Sequence, residues 1–343
     1  MYSSKSLLAS LLAAAPVALA ATTVDDSQCD CYLSNGTKPT YYANHMFFDF
    51  RALSQYASIP DLISTIEGNA NAGFTSDYFN WESEFGQTWG LQNWSNGDAD
   101  FPMQNSYNNI YIQENTDDVP GSDTFLTMRT ARHDGFQTAS EFETIEQHQY
   151  ASMRMFARTI GSKGACTAMF TYRDAEELAN VQEADIEVLT SDADNVIHYT
   201  NQPSYTDEGG EVEGATETVT LTDGLKWSQW ATHRLDWTPD QTVWSVDGLQ
   251  TAVNSFQVPK DASSLIFNAW SNGQTWTGKM DEGGVAYQQI QWIEILYGPA
   301  DASTCSKVCS IDETTELGKP VLKGANVSNE SRCLSSHKMR RLK

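Results

Sequence analysis

Glu183, Asp185 and Glu187 stand at every second position of one short run, with Ala184, Ile186 and Val188 alternating with them. Successive side chains point to opposite faces of a strand, so this spacing puts three carboxyls on one face and the apolar residues on the other. Three acids on one strand face repel one another and destabilise it unless a site uses them. Two carboxyls flanking a sugar–sugar bond are what glycoside hydrolysis requires. A rise of about 3.3 Å per residue puts the Cα atoms of Glu183 and Glu187 roughly 13 Å apart. Each Glu side chain reaches ~4 Å inward. The gap left is about 5 Å, close to the roughly 5–5.5 Å of enzymes that attack the sugar directly, and too narrow for an intervening water. Asp185 is shorter and central, placed to bond one Glu and keep the two in different protonation states. The same alternation also describes a plain strand with one solvated face, so the rest of the chain has to decide.

The elements that must hold these acids read as β. Val, Ile, Thr and aromatic residues recur in short runs separated by Gly, Asp, Asn and Pro. Strands are expected at 110–113, 125–130, 147–158, 165–172, 184–190, 196–201, 216–221, 231–237, 242–246, 249–253, 264–270 and 288–296. Asp247-Gly248 is a hairpin signal and Thr238-Pro239-Asp240 a turn. Helix is scarce: Pro60 to Glu67 suggests a short one with Pro in its first turn, and 174–180 a single turn or a loop. Many strands with few helices point to an all-β fold, a sandwich of two antiparallel sheets. A large sandwich that curves offers an open groove, better suited to a polymer than to a small molecule.

Residues 1–20 read as a secretory signal peptide: Lys5, an apolar run from Leu7 to Val17, and Ala18-Leu19-Ala20 at the cleavage position. A single catalytic domain is expected over 21–300, followed by a Cys-containing basic tail over 301–343. The formal charge is −24, yet residues 301–343 alone are net +3. A chain this acidic argues against nucleic acid and anionic membrane surfaces as partners. No later apolar run is long enough to span a bilayer. A secreted, extracellular monomer acting on a neutral polysaccharide fits these features. Six cysteines in an exported chain read as disulfides, with Cys29/Cys31 and Cys305/Cys309 placed to staple the termini. No His stands at ligand spacing from either pair, which argues against zinc, and neither a metal nor a cofactor is called for. Sequons at Asn35, Asn93, Asn326 and Asn329 suggest surface glycans.

Several segments, in order, resemble glycoside hydrolase family 16, the concanavalin-A-like jelly rolls that cut or transfer β-glucans. Glu183-Ala184-Asp185-Ile186-Glu187 is similar to the family's E-x-D-x-E strand in the form without a β-bulge. Tyr150 to Met155 and Gly164 to Phe170 are similar to the two strands before it, and His198-Tyr199-Thr200-Asn201 to the strand after it. Thr232 to Asp240, with Trp244 to Gly248, is similar to the family's V-D-G hairpin. The resemblance covers roughly 120–297; the N-terminal third, through Phe101, matches the family poorly. It implies a β-jelly-roll sandwich of two curved antiparallel sheets. It also implies a retaining mechanism with Glu183 as nucleophile, Asp185 as its assistant and Glu187 as general acid/base. Ala184 replaces a bulkier aliphatic residue, and Gln182 stands where the family more often has an acid, His or Asn.

An apolar sugar face stacks on an indole, which makes Trp270, Trp276, Trp230, Trp94 and Trp89 candidate platforms. Trp237, Trp244 and Trp292 sit in strand periodicities and are assigned to the core. Asn201 and Gln274 are candidate donors to sugar hydroxyls, while His198 and His233 read as structural. The chemistry implied is hydrolysis of internal bonds of β-1,3 or mixed-linkage β-1,3(4)-glucan. A cell-wall transglycosylase using the same residues and a non-catalytic glucan-binding module are the competing readings.

Overall fold

The structure is a computed structural model that describes residues 22–36, 38–96 and 102–324. The leader, Phe101, the sequons at Asn326 and Asn329, Cys333 and the basic end of the tail lie outside the described residues.

The N-terminal segment supplies β1 (Cys31–Ser34) and β2 (Thr40–Asp49). Helices α1 (Ile66–Ala70) and α2 (Glu84–Thr88) follow, started by Thr65 and Ser83, whose hydroxyls accept the N–H of Gly68 and Gly86. Next come β3 (Trp89–Leu91), β4 (Met103–Asn105), β5 (Ile110–Glu114), β6 (Thr124–Arg132), β7 (Gln137–Thr144), β8 (Ala151–Gly161) and β9 (Cys166–Arg173). The acids lie on β10 (Gln182–Leu189), followed by β11 (Val196–Gln202), β12 (Thr216–Thr220), β13 (Ala231–Trp237), β14 (Thr242–Val246) and β15 (Leu249–Asn254). The chain closes with β16 (Ser264–Trp270), the fifteen-residue β17 (Val285–Pro299), β18 (Val308–Ser310) and β19 (Val321–Gly324).

These strands make a two-sheet jelly-roll sandwich. The acid-bearing sheet runs β3–β7–β16–β9–β10–β11–β12. The second runs β5–β6–β17–β8–β13–β14–β15, with β2 replacing β6 beside the second half of β17. Strand β7 begins beside β6 and ends between β3 and β16, so it passes from one sheet to the other. The core between the sheets takes Phe142, Met169, Ala184, Ile186, Val188 and Phe267 from the first, and Met153, Leu235, Trp237, Trp244, Ile293 and Ile295 from the second. Each large apolar side chain buried there contributes about 1.5–3 kcal/mol. Trp89 belongs to this core, fully buried with its ring edge-on to Phe142 and Phe267, and is no sugar platform.

Two local expectations change. The segment from Pro60 is irregular, and helix begins only at Ile66, because the Pro60 and Asp61 carbonyls accept from the Arg129 and Asn108 side chains instead of from backbone N–H groups one turn ahead. The strand expected from 147 begins at Ala151, since Tyr150 has a φ of 58°, outside the extended region.

The segments around 29–34 and 305–312 lie together over the outer face of the second sheet. Disulfides Cys29–Cys309 and Cys31–Cys305 join them, while Cys166 is buried with no disulfide partner among the described residues. Beneath them runs an ion-pair network. Arg154 on β8 binds Glu294 on β17, Glu294 accepts from His45 on β2, and His45 also meets Asp26 at 2.8 Å. Arg154 and Arg234 share Asp312 from the C-terminal segment. Burial alone would lower the His45 pKa, but its hydrogen bonds to Asp26 and Glu294 prevail and hold it up at about 9. A group whose folded pKa is raised stabilises fully below its unfolded value, 6.5, and loses that contribution as pH climbs through about 9. Denaturant titrations should therefore show stability falling between these two pH values, with a shallower slope in His45→Gln. A wild-type slope unchanged in that variant would contradict the assignment.

Candidate active site

The register of β10 against β9 runs from Gln182↔Arg173 to Leu189↔Cys166 without a shift, so no bulge interrupts the acids. Ala184, Ile186 and Val188 are locked in the core, which forces Glu183, Asp185 and Glu187 onto the outer face of the sheet. A row of cross-strand neighbours crosses that face through Glu187: His198 and Thr218 on one side, Ala168, Asn268 and Glu141 on the other.

Each acid has its own surroundings. Glu183 is half-buried at the strand's open end. Asp185 is 1% exposed; its Oδ1 accepts the Thr200 N–H at 2.8 Å and its Oδ2 has no partner among the described residues. Glu187 is held through both oxygens, Oε1 by the Cys166 thiol at 3.2 Å and Oε2 by Trp276 Nε1–H at 3.0 Å. All three carboxyls are pushed above their ordinary range, foremost by burial. For Glu183 the charges of Glu187 and Glu141 add to it, reaching about 8. For Asp185 the two Glu residues add to it, against the Thr200 hydrogen bonds. For Glu187 the Cys166 and Trp276 hydrogen bonds and His198 work against the rise. Such a cluster shares its protons and titrates as a unit.

Trp276 is delivered by the loop that follows β16. Asn272 Oδ1 accepts from Gln274 N–H and the Thr277 hydroxyl, and the Gly278 N–H returns to the Gln274 carbonyl. Gly278 has a φ of 76°, and a Cβ there would lie 2.8 Å from Ser191 Oγ, so glycine is required to close this loop. Trp276 is 40% exposed beside Glu187, and Gln274 is exposed two residues away. Trp270 ends β16 cross-strand from Cys166 and packs on the apolar cluster of Phe170, Leu189 and Ile266.

Two sequence candidates stand elsewhere. Asn201 pairs with Ala184 and therefore faces the core, where it bonds the Phe256 carbonyl and the Thr242 hydroxyl. Trp230 lies beside β8 of the second sheet, with Phe156 stacked on it, the Arg158 guanidinium 4.4 Å from its ring centre and its Nε1–H on Asp117. No ring face is left for a sugar. His233 is buried, which lowers its pKa to about 4. His198 has both nitrogens engaged, by Asp192 and Thr218, yet its ring lies 5.0 Å from that of Trp276 and flanks Glu187.

Glu141 was not anticipated. Its Oε1 accepts Trp94 Nε1–H at 3.1 Å and its Oε2 accepts from Asn268 Nδ2 at 3.3 Å, with Trp94 44% exposed above the sheet. The signal was present in Ser140-Glu141-Phe142-Glu143, the same acid–apolar alternation as on β10. A cavity of about 690 Å³, lined by Val219 to Leu225 and by Leu249 to Thr251 among others, lies at the β12 and β15 edge of the sandwich and includes none of the three acids.

The family model for glycosyl hydrolases family 16 matches residues 100–294, more than half of the chain. A beta-glucanase of Fibrobacter succinogenes is 26% identical over 170 residues, which are 46% of this chain and 46% of that protein. One of Paenibacillus polymyxa is 22% identical over 156 residues, 45% of this chain and 62% of that one. The chain thus spans about half the length of the first of these relatives. Among solved structures, a prokaryotic beta-1,3-1,4-glucanase from a mouse hindgut metagenome superposes with a TM-score of 0.51 at 17% identity, covering 75% of this chain and 100% of that one. An endo-beta-1,3-glucanase from Pyrococcus furiosus gives 0.50 at 16%, covering 79% and 99%. At these identities the structures share the fold.

Burial raises the Glu141 carboxyl to about 7, against the Asn268 and Trp94 hydrogen bonds. Carboxyl-carbon NMR should find a titration near that pH, displaced upward in Trp94→Phe, because removing a donor disfavours the ionised form. An unmoved midpoint would mean that this hydrogen bond is not formed in solution.

Proposed function

Because this chain belongs to glycosyl hydrolase family 16, we propose that it is a retaining endo-glycosidase of β-1,3 or mixed-linkage β-1,3(4)-glucan. The observation that bears most weight is the division of labour along β10. Glu183 stands at the accessible end, Asp185 has an unpartnered buried oxygen between the two Glu residues, and Glu187 is fixed by donors on both oxygens.

In the first step a Glu183 oxygen attacks the anomeric carbon. The bond from that carbon to the leaving oxygen breaks, and Glu187 gives its proton to that oxygen. The product is a glycosyl ester on Glu183. Water then attacks the same carbon from the opposite side, Glu187 takes its proton, and Glu183 leaves as a carboxylate, so the configuration is retained. Asp185 is the deepest of the three and the natural holder of a shared proton. A hydroxyl on its free Oδ2 would donate to Glu183 and favour the ionised nucleophile, offsetting the burial that raises it. Trp276, Trp270 and Gln274 are the sugar contacts nearest Glu187, and Trp94 with Glu141 and Asn268 extends the same row toward β7. The names of the relatives support β-glucan as substrate. The two disulfides, the leader-like start and the sequons support a secreted glycoprotein.

Laminarin and barley β-glucan hydrolysis followed by NMR should release product with the β configuration first. Glu183→Gln should lose activity by about 10³-fold or more, and Glu187→Ala by ~10²–10⁴-fold. Azide should restore turnover of an activated glucoside by Glu187→Ala and give a β-glycosyl azide. An α-configured first product, or full activity in Glu183→Gln, would overturn the mechanism.

A further inference from the structure

One functional group on the acid face has no part in the reaction above. Cys166 opens β9, is fully buried and forms no disulfide. A buried cysteine ordinarily packs as a small hydrophobe, and its neighbours Ala168, Phe170, Leu189 and Ile266 would accept an aliphatic residue equally well. The sulfur instead lies 3.2 Å from Glu187 Oε1, short for a thiol hydrogen bond. It reaches that oxygen diagonally, because the residue directly opposite Glu187 is Ala168, which has no polar atom on its side chain. Trp270 stands directly cross-strand from Cys166 on β16 and packs against the same cluster. A chain of contacts thus runs from Trp270 through Cys166 and Glu187 to Trp276, joining two exposed or half-exposed indoles through one carboxyl.

We propose that Cys166 is a positioning residue for Glu187, its thiol fixing the orientation of the carboxyl in both halves of the reaction. The proposal rests on the assignment of Glu187 as acid/base. An indole N–H only donates, whereas a thiol both donates and accepts. Trp276 donates to Oε2 in either protonation state of Glu187, while Cys166 donates to Oε1 of the carboxylate and turns acceptor when Oε1 carries the proton. Burial and the adjacent Glu187 raise the thiol's own pKa, so it stays protonated and available as a donor.

The other charged or titratable groups facing Glu187 are Glu183 and Asp185 on its own strand, His198 from β11 with Asp192 behind it, and Glu141 from β7 beyond Asn268. None of these groups forms a hydrogen bond with Cys166 among the described contacts, so the substitution reaches the cluster through Glu187. A donor to a carboxylate favours its ionised form, so its loss keeps Glu187 protonated to higher pH.

The test is the pH profile of kcat/KM on barley β-glucan for the wild type, Cys166→Val and Cys166→Ser, with thermal midpoints recorded for each. Cys166→Val should move the alkaline limb up by roughly half a unit or more and lower kcat/KM by about 10-fold. Cys166→Ser, a stronger donor, should restore activity and place the limb at or below the wild-type position. An alkaline limb in Cys166→Val that coincides with the wild type would overturn the proposal. If the valine variant does not fold, a serine variant whose limb moves up decides against it in the same way. Glu187→Ala is measured alongside. Retained activity there removes the acid/base assignment itself, whereas an inactive, azide-rescued Glu187→Ala with unmoved Cys166 limbs removes only the role of the thiol.

Discussion

Slipping β10 by one residue against β9 would turn Ala184, Ile186 and Val188 outward and drive three carboxyls into the apolar core. Several kcal/mol of lost apolar burial and the desolvation of each charge oppose that slip. The core thus fixes which face the acids occupy, and the mutual repulsion of the acids is the strain that the site retains. Everything else around them acts on that constraint. β9 and β11 set the register, the 271–278 loop brings Trp276 to Glu187, and the Thr200 N–H anchors Asp185.

The three carboxyls are chemically alike and are made unlike by position. Glu183 meets solvent and has no donor of its own among the described contacts. Asp185 is the deepest, with one oxygen bonded and the other unpartnered. Glu187 is gripped on both sides. Environments that push the protonation states of neighbouring carboxyls apart are how one site obtains both an ionised nucleophile and a protonated acid. The second sheet contributes at a distance. Its ion-paired outer face and the two disulfides tie the segments at 26–31 and 305–312 to β17 and β8, which pack the core under β10.

Much of this was legible in the sequence. The acid strand, its flanking strands, the Asp247-Gly248 hairpin and the terminal staples follow from period-two patterning, turn chemistry and cysteine spacing. Asp247 and Gly248 both adopt positive φ, as a two-residue hairpin turn of this kind requires. Other features needed the tertiary partners. β7 was missed although Glu141-Phe142-Glu143 alternates like β10, because the rest of the strand is polar and carries few β-branched or aromatic residues. The segment from Pro60 carries helix-starting residues, but Arg129 and Asn108 claim its carbonyls. Asn201 and Trp230 have sugar-binding chemistry, yet the parity of β11 turns the first inward, and Arg158 with Phe156 covers the second. Cys166 reads as a disulfide candidate in an exported chain; only the diagonal past Ala168 reveals that it meets Glu187.

The central claim is that Glu183 bonds covalently to the sugar while Glu187 handles the proton. The most direct measurement is peptide mapping by mass spectrometry after reaction with an activated 2-deoxy-2-fluoro β-glucoside of a 1,3-linked disaccharide, whose slowed second step lets the ester accumulate. A single glycosyl adduct on the peptide containing β10, localised to Glu183 and lost on incubation with acceptor sugar, is the expected result. An adduct on Asp185 or Glu187, or steady turnover of the reagent with no adduct at all, would contradict it.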